Sequence, residues 1–258
     1  DIDLSPRRSR VAAQDTLLHL DNVGLTRDGV DHISQVSFSV RAGEIVGIAG
    51  VSGNGQRELA EIVAGLQAPT SGEILINGAR VNGIGIRNVR KAGLAYVPED
   101  RLGTGLAPSL SIVDNLVLTR KRGFFVDRKA ALDEAEAFIK QLEIKTPHAH
   151  TATRKLSGGN SQKVLLAREI FAAGDNSRVL VVCSPTRGLD VGAVEAVHKL
   201  LDEARAAGKA ILLISEDLDE VLTLADRVMV LYRGSVVHEA LGSEVDVELV
   251  GLAMAGLS

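Results

Sequence analysis

The chain has 258 residues and a formal net charge of −4, with no concentrated basic stretch, which argues against nucleic acid as a partner. Apolar residues make up 45 % and aromatic residues 3 %, enough to bury one large or two modest cores but too few rings for a surface that stacks bases or sugars. The single Cys183 excludes an internal disulfide, as suits a reducing compartment, and neither a signal peptide nor an apolar run near the roughly 20 residues of a bilayer span is present.

In chain order, Asp1–Asp15 is polar, basic in its middle and aperiodic, so it reads as an interdomain linker with another domain expected upstream. Leu17–Val23 and Gln35–Val40 are predicted strands, the second alternating Val36, Phe38 and Val40 around a turn at Arg27-Asp28-Gly29. Glu44–Ile48 is an apolar strand, followed by Gly50-Val-Ser-Gly-Asn-Gly-Gln-Arg57 and a helix from about Glu58 to Ala64. A phosphate loop reads GxxxxGK[ST], with amides that cradle phosphates, a Lys on the β- and γ-phosphates and a Ser/Thr on Mg²⁺. Gly50, Gly53 and Gly55 fit that pattern, but Gln56 stands for the Lys and Arg57 for the Ser/Thr. Gln56 can donate a hydrogen bond without charge, and Arg57 is a cation that binds no metal. A glycine-rich strand-to-helix turn with no ligand is the alternative reading of this motif.

Gly72–Asn77 reads as strand and turn, and Gly93–Val97 as a strand running into Pro98-Glu99-Asp100-Arg101. Ser111 caps a helix through Leu118, and Arg128–Leu142 is amphipathic, with Leu132, Ala135, Phe138, Ile139 and Leu142 on one face. His148 and His150 alternate in a loop without a Cys or carboxylate at metal-ligand spacing, so a solvated loop is expected. Leu156–Arg168 (LSGGNSQKVLLAR) is a short turn over Ser157, Gly158 and Gly159, with helix from Asn160 onward. A serine hydroxyl and bare glycine amides at a helix N-terminus suit an anion, and a plain Ser cap is the alternative. Arg178–Val182 is an apolar strand that leads into Ser184-Pro-Thr-Arg-Gly-Leu-Asp190. Val191–Ala206 is a helix with Val191, Val194, Val197, Leu201 and Ala204 facing inward, closed by Gly208. Ala210–Ile214 is a buried strand ending in Ser215-Glu216-Asp217, then Val228–Tyr232 and Ser235–Glu239 form a hairpin and Val247–Leu257 a short apolar helix.

LSGGN, the strand before Cys183 and the GLD of Gly188-Leu189-Asp190 together resemble the signature motif, Walker B strand and D-loop of the ATP-binding cassette (ABC) ATPases. The resemblance implies an α/β fold: a P-loop NTPase of ABC type, with a mostly parallel RecA-like core sheet, an antiparallel β-subdomain and an α-helical subdomain carrying the signature. It implies a nucleotide-binding domain over residues 16–258, with the β-subdomain and core in 16–101 and 157–258 and the helical subdomain in 102–156. It also marks departures. The family has an adenine-stacking aromatic near Arg27, a Gln at Glu99, an Asp and a Glu at Cys183 and Ser184, and a His at Glu216. The phosphate Lys, the metal Ser/Thr, the metal Asp, the base Glu and the switch His are thus all absent, and losing that whole set while keeping LSGG and Asp190 is selective.

ABC ATPases work head to tail, each nucleotide held between one P-loop and the other subunit's signature. The chain therefore resembles a non-hydrolysing half, whose Ser157, Gly158, Gly159 and Asp190 act in trans. Its own nucleotide-binding set would be Gly50, Ser52, Gly53, Asn54, Gly55, Gln56, Arg57, Glu58, Glu99 and Glu216, with no metal ligand. GIAGVSGNGQRELAEIVAGL, YVPEDR, PTRGLDVGA and LLISEDLDEV are similar to the second cassette of fused-cassette importers for simple sugars and nucleosides, and GNGQ to the nucleoside branch. The implied ligands are ATP, and Mg²⁺ at the partner's site. The implied partners are an N-terminal cassette of the same polypeptide and transmembrane permease subunits, with a solute-binding protein only indirectly involved, at the cytoplasmic face of a bacterial inner membrane. A soluble ABC clamp in translation or DNA repair, and an interaction module that binds no nucleotide, are the alternatives.

Overall fold

Alternation at the start of the chain builds a first, antiparallel sheet. In the computed structural model, which describes residues 15–119, 127–172 and 177–257, β1 (Thr16–Arg27) and β2 (Val30–Arg41) pair across a turn at Asp28 and Gly29, both with positive φ. Their buried positions include Leu18, Leu20, Val23, Val36, Phe38 and Val40. The expected linker over Asp1–Asp15 lies outside the described residues, apart from Asp15. The chain crosses through β3 (Ile45–Ala49) and α1 (Gln56–Val63), then completes the first sheet with β4 (Ser71–Ile76) and β5 (Ala79–Arg80), in the order β2-β1-β4-β5.

After α2 (Ile86–Lys91) and β6 (Leu94–Val97), a π-helical turn covers Arg101–Gly105. Next come α3 (Ile112–Val117), capped by Ser111, and α4 (Arg128–Gln141), capped by Asp127. On α4, Ala131 and Ala135 are buried and Leu132, Phe138 and Ile139 half-buried, and the Phe138 ring stacks on Phe171 at 5.5 Å. Then follow α5 (Gly158–Ala167), a second π-turn (Arg168–Ala172), β7 (Val179–Cys183), α6 (Val191–Ala206), β8 (Ala210–Ser215) and α7 (Leu218–Leu224). The hairpin β9 (Arg227–Tyr232) and β10 (Ser235–Leu241) leads to α8 (Val247–Met254).

The second sheet has the order β10-β9-β3-β8-β7-β6, parallel throughout except for β10. Its central strands IVGIA, VLVVC and AILLIS are buried at every position, as parallel strands covered on both faces must be. Val179, Val181 and Cys183 face the core shared with β1, β2 and α1, while Leu180 and Val182 face the core shared with α3, α5 and α6. Among the described residues no helix is long and apolar enough to cross a membrane.

Two expectations change. The helix of the LSGGN segment starts at Gly158, not Asn160, because Ser157 caps the Asn160 N–H and draws both glycines into the first turn. Val191 does not face inward: it is 65 % exposed. The inward row of α6 is Ala193, Val197, Leu200, Leu201 and Ala204, and Val191, two residues before Ala193, lies about 200° around the helix.

Candidate functional site

The parallel arrangement brings the carboxyl ends of β3, β6, β7 and β8 to one edge of the sheet, where ligand clefts of open α/β sheets form. The segments that leave those strands line a cleft of about 910 Å³. Ser52, Gly53, Gly55, Gln56, Arg57 and Glu58 come from the loop after β3 and the start of α1. Glu99 follows β6, Cys183 and Ser184 end β7, and Glu216 follows β8. Gly50 and Asn54 are not in this lining. They shape the loop from behind.

The loop between β3 and α1 turns on Gly53 and Gly55, with φ of 87° and 103°. A Cβ on Gly55 would lie 2.7 Å from the His32 carbonyl oxygen, so only glycine passes there. Gln56, 8 % exposed, folds its carboxamide back into the loop. Its Nε2 donates to the Val51 carbonyl at 2.9 Å and its Oε1 accepts from the Asn54 N–H at 3.1 Å. A Cβ on Gly50 would stand 2.6 Å from that Nε2. The side chain thus occupies the loop, and the Asn54 N–H it engages is shared with the Val51 carbonyl at 3.3 Å. Asn54 fastens the loop to the β9–β10 hairpin, its Oδ1 accepting from the Arg233 N–H and its carbonyl from the Gly234 N–H, both at 2.9 Å. Ser52 is exposed. Arg57 reaches sideways to Glu61 at 2.8 Å, and this hydrogen bond and charge hold its guanidinium above its ordinary pKa. Glu58 lies 3.9 Å from His32 Nδ1.

At the end of β7, burial pushes the Cys183 thiol up to about 12, opposed by a hydrogen bond from the Tyr96 side chain. Burial also raises the Tyr96 phenol, with Cys183 adding to it. Cys183 is therefore a neutral thiol at pH 7. Ser184 has a positive φ of 41° and donates its N–H to the Ile214 carbonyl at 2.8 Å. Mg²⁺ asks for near-octahedral oxygen ligands, usually carboxylates and phosphates. The neutral thiol of Cys183, Gln56 and Arg57 do not fit that ion, and Ser184 supplies a hydroxyl without charge. The lining carries five carboxylates (Glu58, Glu61, Glu99, Asp100, Glu216) against three guanidiniums (Arg57, Arg101, Arg187), so its balance opposes a triphosphate.

Glu99 is not a free carboxylate. It pairs with Arg187, 88 positions on, from the segment after β7. Glu216 is exposed at the rim of the cleft. Arg27, at the position expected to face adenine, is outside the lining and hydrogen-bonds the Gln67 side chain.

Ser157, Gly158, Gly159 and Asp190 do not line this cleft. Ser157 is exposed, and its Oγ accepts from Asn160 Nδ2 at 2.8 Å and from the Asn160 N–H at 3.4 Å. An oxygen that accepts from Asn160 still carries its own O–H as a donor. Gly158 is exposed and Gly159 buried, where a Cβ would meet the Ala193 Cβ at 2.7 Å. Asp190 caps α6, accepting from the Ala193 N–H at 2.9 Å.

One cluster lay outside the sequence reading. Glu220 is 4 % exposed, and its carboxylate accepts from Thr186 Oγ1 and from Ser215 Oγ, each at 2.6 Å. It clamps the segment after β7 to the end of β8. Ser215 and Glu220 are close in sequence, but nothing there points to Thr186. Thr186→Val keeps the shape and removes one of the two hydroxyl donors, so it is expected to destabilise the chain by about 1–3 kcal/mol. Urea unfolding of the purified protein measures this, and an unchanged midpoint would contradict the clamp.

Residues 33–186 match the ABC transporter family. Over 258 aligned positions the chain is 41 % identical to the glucose import ATP-binding protein TsgD13 of Haloferax volcanii, covering 96 % of this chain and 46 % of that protein. It is 40 % identical to the guanosine import ATP-binding protein NupO of Bacillus subtilis, covering 88 % and 45 %. The chain thus spans about half the length of these curated relatives. Among solved structures it is similar to a dimeric bacterial ABC transporter cassette, with a TM-score of 0.75, 24 % identity and coverage of 87 % of this chain and 98 % of that one. The fold is that of an ABC-type P-loop NTPase.

Proposed function

Because the chain belongs to the ABC transporter family, whose members bind ATP with Mg²⁺, we propose that it is the degenerate C-terminal cassette of an importer ATPase for simple sugars or nucleosides. It contributes its signature to the ATP site of a partner cassette. The relatives named for glucose and guanosine import support the solute class, and covering less than half of each of them fits one cassette of a fused pair. The dimeric cassette of similar fold supports pairing.

The observation that carries the reading is the contrast between the two surfaces. The Gln56 carboxamide is folded into the phosphate loop and the end of β7 carries Cys183 and Ser184 in place of a carboxylate pair, whereas Ser157 stands exposed outside the cleft. On this reading Ser157 and the amides of Gly158 and Gly159 bind the γ-phosphate held by the N-terminal cassette of the same polypeptide. Asp190 lies in the same interface, and ATP with Mg²⁺ belongs to the partner's P-loop. The pair docks on permease subunits at the cytoplasmic face of the inner membrane, meeting the solute-binding protein only through them and no nucleic acid.

Purified alone, the chain is expected to show negligible ATP hydrolysis with Mg²⁺, far below the 1–10³ s⁻¹ common for enzymes. A phosphate-release assay at saturating ATP checks this. Turnover in that range, lost on Ser184→Ala or Gln56→Ala, would overturn the proposal.

A further inference from the structure

Arg101 ties together two segments that lie 57 and 86 positions further along the chain. Its Nη2 donates to the Arg187 carbonyl at 2.6 Å, and its Nη1 makes a longer bond of 3.4 Å to the Gly158 carbonyl, which also accepts from Ser161 Oγ at 2.8 Å. Gly158 is the first residue of α5, directly after Ser157. The guanidinium therefore reaches from the cleft, which it helps to line, to the first turn of the signature helix.

Its own backbone is fixed. Asp100 caps the π-turn that starts at Arg101, accepting from the Gly103 N–H at 2.8 Å. The far end of that turn is held by Arg168, 6 % exposed, whose Nη2 donates to the Gly105 carbonyl at 2.6 Å. An arginine anchored at its base and forked at its tip fixes two carbonyls relative to each other, which a lysine's single ammonium does less rigidly.

We propose that Arg101 is a positioning residue for the reaction in trans: it sets the first turn of α5, and with it the direction of the Ser157 hydroxyl, against the segment that carries Asp190. The proposal rests on the reading that Ser157 serves a partner's phosphate. Donor geometry is where such a site is sensitive, because misplacement by about 1 Å can cost on the order of 10²-fold in rate.

The test uses the full-length importer assembled with its permease, comparing Arg101→Ala, Arg101→Lys and Gly158→Asp. Arg101→Ala is expected to lower kcat by about 10–10²-fold while the KM for ATP and the melting temperature stay near those of the parent. Arg101→Lys is expected to recover only a small part of kcat. An unchanged kcat in Arg101→Ala, with Gly158→Asp inactive, overturns this proposal and leaves the signature reading standing. Full recovery in Arg101→Lys, or a kcat loss matched by loss of folded protein, also overturns it. Unchanged activity in both Arg101→Ala and Gly158→Asp removes the signature reading itself.

Discussion

Gly158→Asp in the full-length importer is expected to cut ATP hydrolysis by at least about 10²–10³-fold, the cost typical of losing one transition-state donor, and to abolish solute uptake with it. The substitution is mild for the chain itself. Gly158 is exposed, and the nearest atom to a Cβ there is Arg101 Nη1 at 3.5 Å. An aspartate in the first turn of α5 even favours the helix, by replacing glycine and by placing a negative charge at the N-terminus. The same carboxylate repels a phosphate approaching that terminus. The loss is therefore chemical, not a failure to fold. Gly159 is a poorer probe, because its side chain would collide with Ala193. Activity within a factor of two of the parent, at matched expression, would contradict the role given to this loop.

Gln56→Lys is expected to tighten ATP binding to the chain about tenfold or more, in line with a new hydrogen bond to a charged group, and to leave hydrolysis at background. The substitution takes the carboxamide out of the loop and brings a cation to the phosphates. It supplies no metal ligand and no base. The Cys183 thiol, raised to about 12, is neutral at working pH, and the Ser184 hydroxyl is no better as a proton acceptor. A positioned base alone contributes about 10²–10⁴-fold, so the deficit persists. Calorimetric titration with ATP and a phosphate-release assay on the same samples separate the two effects. Vigorous turnover by Gln56→Lys alone would show that the remaining departures do not disable the site.

Much of this architecture is legible in the residues because it is local. Gly53 and Gly55 mark the loop after β3, Ser111 caps the helix it precedes, and the short apolar runs VLVVC and AILLIS read as strands buried on both faces. The phase of a helix start is less legible. Val191 is apolar and adjacent to the inward row, yet it turns to solvent because the row begins two residues later, at Ala193. The site's side-chain partners are least legible. A glutamine in place of a lysine shows lost charge, but that Gln56 folds back onto Val51 and Asn54 depends on the closed shape of the loop. The Glu99–Arg187 pair, the Arg101 fork and the Thr186–Glu220 bond join segments that meet only when β6, β7 and β8 lie side by side.

The central claim is that this cassette works through its signature and not through its own cleft. The most direct measurement compares ATPase and uptake, side by side and at matched expression, for two full-length variants: Gly158→Asp, and the triple variant Gln56→Ala, Ser184→Ala, Glu216→Ala. The account predicts that Gly158→Asp is inactive and that the triple variant keeps most of the parent's activity. An active Gly158→Asp beside an inactive triple variant would contradict it, and would make this chain's own cleft the working site.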